Sequence, residues 1–214
     1  MVTNGGLGIA ARAGVLGGLL LVLFVVFGDR LEEHRSGAER PAWAARITVD
    51  ARPPTPETLS RIASAVAGRP VRVTCSGAWG GRAWIERGVA TIGTLHCTDL
   101  GHLRDGLAPV ALKCLRAAAY PCAGTVNQAA IALHVLAHES VHLQGIRDEP
   151  QADCFAIQWV RTVAHHLGVP ADVARSLARH HWEVYGSAPL HGYGSPHCRS
   201  GGRYDLFPDD PVWP

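Results

Sequence analysis

The alternation of apolar and polar side chains divides the chain into an apolar head, a charged stretch and a long mixed region. Residues 7–27 are apolar apart from Arg12, and the uninterrupted part, Ala13 to Phe27, runs for 15 residues. No polar face breaks it, so it predicts a membrane-inserting segment rather than one side of a core. Arg12 can snorkel to the interface and let earlier residues extend the span. Residues 1–28 are therefore expected to be an uncleaved signal-anchor or a cleaved signal peptide. The best small-residue cleavage site, Ala42-Trp43-Ala44, lies far beyond the apolar part, which favours the anchor. Either alternative exports the remainder of the chain. Residues 29–45 carry Asp29, Glu32, Glu33, His34, Arg35, Glu39 and Arg40 ahead of Pro41 and read as a linker.

The mixed region, 46–214, reads as the folded domain. Ile47-Thr48-Val49 is a short strand candidate. Thr55-Pro56-Glu57 combines an N-cap, a first-turn proline and an acid, and Leu59, Ile62, Ala63 and Val66 then recur at helical spacing up to Gly68. Val71 to Cys75 alternates like a strand, and Val89 to Cys97 reads as another, preceded by a turn at Gly80-Gly81. From Val126 to Gln144 there is neither Pro nor Gly. Thr125 and Gln128 suit a capping box, and Gly145 a stop. A second long helix is expected from Pro150 to Leu167, closed by Gly168, and a third from Ala171 to about Tyr185. The tail, 186–214, is rich in Gly, Pro and Ser and gains order only if Cys198 pins it and Tyr204, Leu206, Phe207 and Trp213 pack. The fold class expected is α+β: a short sheet beside a helical core.

Composition narrows the function. The 214 residues suit one domain with appendages, and 47% hydrophobic residues are ample for a core. The net charge is only +2, with no long basic run, so nucleic-acid binding has no electrostatic support. Six cysteines all follow the apolar head. An even count in an exported chain predicts three disulfides. The pairing expected is Cys75–Cys97 between strands, Cys114–Cys122 around a short loop, and Cys154–Cys198 tying the tail to a helix. No CxxC pair is present, which argues against a cysteine-based zinc site.

The candidate chemistry lies in His138-Glu139-Ser140-Val141-His142, an HExxH sequence on the longest predicted helix. Residues four apart share a helix face, so His138 and His142 can aim two imidazoles at one ion, with Glu139 beside them to take a proton from a metal-bound water. A catalytic zinc usually takes three protein ligands and a water. Asp148, Glu149 and Asp153 are the candidates for the third. Asp148 completes HExxHxxGxxD, which resembles the metzincin pattern with Asp for its last His. The chain has no methionine after Met1 to form that family's methionine turn. His134, one turn before His138, reads as a core histidine, with a hydrogen bond to a metal ligand as the alternative. His96, Asp99, His102 and Asp105 read as loop residues. Tyr185, Tyr193, His181 and His191 are candidates for stabilising an oxyanion.

Glu149-Pro150-Gln151-Ala152-Asp153-Cys154-Phe155-Ala156 resembles the ExxADxxA stretch of gluzincins, and most strongly that of bacterial neutral zinc metallopeptidases. The resemblance covers residues 130–160. It implies a zincin-like domain, Zn2+ as cofactor, no organic cofactor and a peptide or protein substrate. It also implies Glu149 as third ligand and Asp153 as the carboxylate that hydrogen-bonds a zinc-bound histidine. Only six residues separate His142 from Glu149, fewer than gluzincins usually have. The expectation is zinc-dependent peptide-bond hydrolysis outside the cytoplasm, by a single-pass membrane protein with an extracytoplasmic domain or by a secreted one. The alternative is a non-catalytic, disulfide-stabilised envelope protein whose HExxH helix holds a structural metal or a partner.

Overall fold

Helix α1, Pro56–Ala67, starts where the sequence signals it: Thr55 is extended and its hydroxyl accepts from the Thr58 amide at 3.2 Å. It ends at Gly68, whose φ of 66° is one that side chains avoid. Leu59, Ile62, Ala63 and Val66 are buried along one face. The computed structural model describes residues 54–118, 121–122, 124–186, 194–210 and 213. The apolar head, the linker and the strand expected at Ile47–Val49 lie outside these residues. Among the described residues no helix is long and apolar enough to cross a membrane.

Strand β1, Arg72–Cys75, follows α1 and is stitched to it, because Ser64 and Ser60 hydroxyls accept from the Val71 and Val73 amides. The sheet has three strands in the order β1-β3-β2. β3, Val89–Ile92, is central, parallel to β1 and antiparallel to β2, Gly81–Trp84. Gly80 makes the turn with φ of 73°, but Gly81 already belongs to an edge strand. The strand expected to reach Cys97 stops at Ile92, and Gly93 starts helix α2, Thr94–Asp105. His96, Cys97, Leu100 and Leu103 are buried at helical spacing. The period changes from two to about 3.6 within four residues, too abruptly for a local pattern to show. His96, Asp99, His102 and Asp105 thus sit on a helix rather than a loop.

After α3, Pro109–Ala117, comes α4, Gly124–Leu143, the central helix. It begins at Gly124, which places Thr125 inside the first turn rather than at the cap. Nearly every side chain beyond Gln128 is buried or half-buried, in keeping with its Ala, Leu and Val content. Arg69 donates to the carbonyl of Leu143 at 2.8 Å, placing a cation on the helix C-terminus. α5, Glu149–His166, and α6, Ala171–His181, pack against α4 in turn, and a π-helical turn, Trp182–Gly186, extends α6 towards the tail.

The mixed α+β class holds. Three disulfides are present with the expected pairing: Cys75–Cys97, Cys114–Cys122 and Cys154–Cys198. Three such bonds point to an oxidising compartment outside the cytoplasm. The described part of the tail, 194–210, packs against α5. Besides the disulfide, Gln158, buried on α5, donates to the Tyr204 carbonyl at 2.7 Å and accepts from the Leu206 amide at 2.7 Å. Phe207 packs edge-on against Trp159, and Trp213 against Trp182.

Candidate metal centre

The buried imidazole of His138, the half-buried one of His142 and the buried carboxyl of Glu139 project from the last two turns of α4, where apolar neighbours offer them little hydrogen bonding. The first turn of α5 brings a second carboxylate to them. Gly145, at φ of 103°, allows the chain to reverse, and the Asp148 carboxylate accepts from the Gln151 amide at 2.9 Å, capping α5. Asp148 is therefore spent on the helix end and, among the described residues, belongs to neither group of side chains able to hold a metal ion.

Glu149 lands on the histidines. His138 Nε2 and His142 Nε2 are 2.9 Å apart, and Glu149 Oε2 is 3.1 Å from the first and 3.3 Å from the second. A tetrahedral zinc with bonds of about 2.0–2.1 Å separates its ligand atoms by about 3.3 Å, so these three form a face of the right size. The six-residue connection that looked short from the sequence is long enough. His142 Nδ1 donates to the Ile146 carbonyl at 2.6 Å, which fixes the tautomer that leaves the Nε2 lone pair for a ligand. Burial, followed by neighbouring His134 and His142, lowers the His138 pKa to about 4, so the ring is neutral and able to coordinate.

Glu139 lines the same cleft as these three side chains. It is 6% exposed, and burial, then the charge of Glu149, pushes its pKa up to about 8. Strand β2 covers it. A Cβ on Gly81 would lie 2.5 Å from Glu139 Oε1 and 2.6 Å from its Cγ, so any side chain there would force the Glu139 carboxyl to move. The result is a polar cleft of about 340 Å³ between β2 and the α4–α5 turn, with His138, Glu139, His142 and Glu149 at its base and Arg147 at its rim.

Asp153, one turn after Glu149, lies behind His138. Its Oδ1 is 3.8 Å from His138 Nδ1, beyond hydrogen-bonding range, and 2.9 Å from His134 Nε2. His134 is the residue the sequence undervalued: it is buried as a core histidine would be, but it bonds Asp153 and belongs with His138 and Asp153 to a second group able to hold a metal. Its i, i+4 spacing to His138 was the available signal. Tyr185 donates to the same Asp153 oxygen at 3.1 Å and lines a different cavity from Glu139. His181 is fully buried against His134 and Tyr185. Neither is among the residues lining the metal cleft, so the oxyanion role considered for them has no support; Tyr193 and His191 lie outside the described residues. No family model, curated protein or solved structure matches this chain.

Proposed function

We propose that this chain is an exported zinc peptidase of gluzincin type, held at the membrane by residues 1–28. The carrying observation is the triangle of His138 Nε2, His142 Nε2 and Glu149 Oε2, with the buried Glu139 carboxyl beside it. Two imidazoles and one carboxylate are a donor set zinc favours, and three protein ligands leave a coordination position for a reactant. Held by His138, His142 and Glu149, zinc would supply Lewis acidity towards water and a peptide carbonyl.

The protein's own groups supply the rest. Glu139 is the general base: its carboxylate takes a proton from water and passes it to the departing amine. Its high proton affinity in the metal-free protein matches a group that must hold a proton at neutral pH, and a bound dication would lower that affinity. Edge strand β2 runs along the cleft, and an extended peptide can add to it as a further strand. Half-exposed Glu149 leaves the base open to such a ligand.

The test is a comparison of the full-length chain with its Glu139→Gln variant for zinc content and for cleavage of a peptide library. One zinc in each and a loss of cleavage of about 10²–10⁴-fold in the variant is the expected result. Equal cleavage by both rejects Glu139 as base. Zinc without cleavage of any peptide by the wild type points to a non-catalytic envelope protein.

A further inference from the structure

The peptidase reading leaves one buried polar cluster unused, and a carboxylate lies at its centre. Asp153 is 5% exposed, and a carboxylate at that depth is retained only where other groups compensate it. Its Oδ1 draws partners from two elements. His134 of α4 donates through Nε2 at 2.9 Å, and Tyr185 of the π-helical turn donates its hydroxyl at 3.1 Å. His138, also on α4, turns Nε2 to His142 and Glu149, and Nδ1 towards the same oxygen at 3.8 Å. The donors are themselves held: His181 stacks on Tyr185 with ring centroids 5.0 Å apart and planes 10° apart, and lies 4.8 Å from His134. A wedge of aromatic rings thus fixes two hydrogen bonds to one oxygen.

We infer that Tyr185 and His134 are positioning residues for the metal centre, holding Asp153 behind His138 so that its negative charge faces Nδ1 of that imidazole and raises its basicity towards the metal. The inference rests on the proposed zinc site but goes past its ligands. A carboxylate free to rotate would serve His138 only part of the time; one pinned by two donors presents a fixed negative charge to Nδ1. Tyr185 is 32 residues from Asp153 in sequence, so the metal centre depends on where the end of α6 sits.

The experiment measures zinc affinity by chelator competition on the full-length chain, with no activity readout. Tyr185→Phe and His134→Ala are expected to weaken zinc binding about 10–100-fold, the usual scale for a lost outer partner. His134→Gln, whose amide can still donate to Asp153, is expected to recover most of the loss. Tyr185→Phe combined with Asp153→Asn is expected to bind no more weakly than Asp153→Asn alone, because both act through one oxygen. A purely structural role for Tyr185 would add its effect to that of Asp153→Asn. Unchanged affinity in Tyr185→Phe and His134→Ala, or additive losses, overturns the inference and leaves the peptidase reading standing. A wild-type chain that takes up no zinc overturns both. Zinc uptake with the expected losses but unimpaired cleavage by Glu139→Gln supports the positioning role and rejects the peptidase mechanism alone.

Discussion

At the scale of single residues, Glu139 and His138 pull metal-free stability in opposite directions with pH. Glu139 has a folded pKa of about 8 against an ordinary 4.5, so its contribution is complete below pH 4.5 and lost as pH rises through 8. His138 has about 4 against 6.5, so its contribution is complete above pH 6.5 and lost as pH falls through 4. Between pH 6.5 and 8, of this pair only Glu139 still changes. The melting temperature of the chelator-treated chain should therefore fall between those pH values, and Glu139→Gln should flatten the fall. A decline that persists undiminished in the variant would assign it to another group. The HExxH spacing alone made Glu139 visible in the sequence. Nothing there hinted at Gly81, because the close approach of β2 to Glu139 joins residues far apart in the chain.

At the scale of elements, the legible features were those with local causes. Thr55 and Gly68 bound α1, Gly145 ends the α4 turn, and Cys75, Val73 and their neighbours form β1, all as local pattern suggested. The misreadings came where neighbours decide. Leu95 and Cys97 alternate as in a strand, yet burial of Cys97 against the core places them on α2. Asp148 and Glu149 were alike in the sequence as acids before a helix, and only the reversal at Gly145 separates cap from cluster. That separation is testable. Asp148→Ala should lower stability by about 1 kcal/mol, the worth of an N-cap, and leave zinc stoichiometry unchanged. Denaturant unfolding and metal analysis of one sample measure both. Loss of the metal with stability intact would reverse the assignment and make Asp148 a ligand.

At the scale of the whole molecule, the disulfide nearest the site closes the longest loop. Cys154 follows Asp153 directly, and its bond to Cys198 spans 44 residues, against 8 for Cys114–Cys122. By loop entropy the long loop contributes about 4 kcal/mol and the short one about 2.5 kcal/mol. The tail it anchors also supplies the Tyr204 carbonyl and Leu206 amide to Gln158, and Asp210 to Arg161. Replacing both Cys154 and Cys198 by serine should thus lower stability more than the same change at Cys114 and Cys122. The metal centre makes a different demand. Its three candidate ligands lie on α4 and the first turn of α5, positioned by the Gly145 reversal and the Asp148 cap. Zinc at a hundredfold excess over its dissociation constant adds about 2.7 kcal/mol to any fold that binds it at one site. The Cys154→Ser, Cys198→Ser protein should therefore melt lower than the wild type, yet still gain a similar rise on adding zinc. If that rise disappears with the disulfide, the tail is part of what holds the ligands together, and the site cannot be understood from α4 and α5 alone.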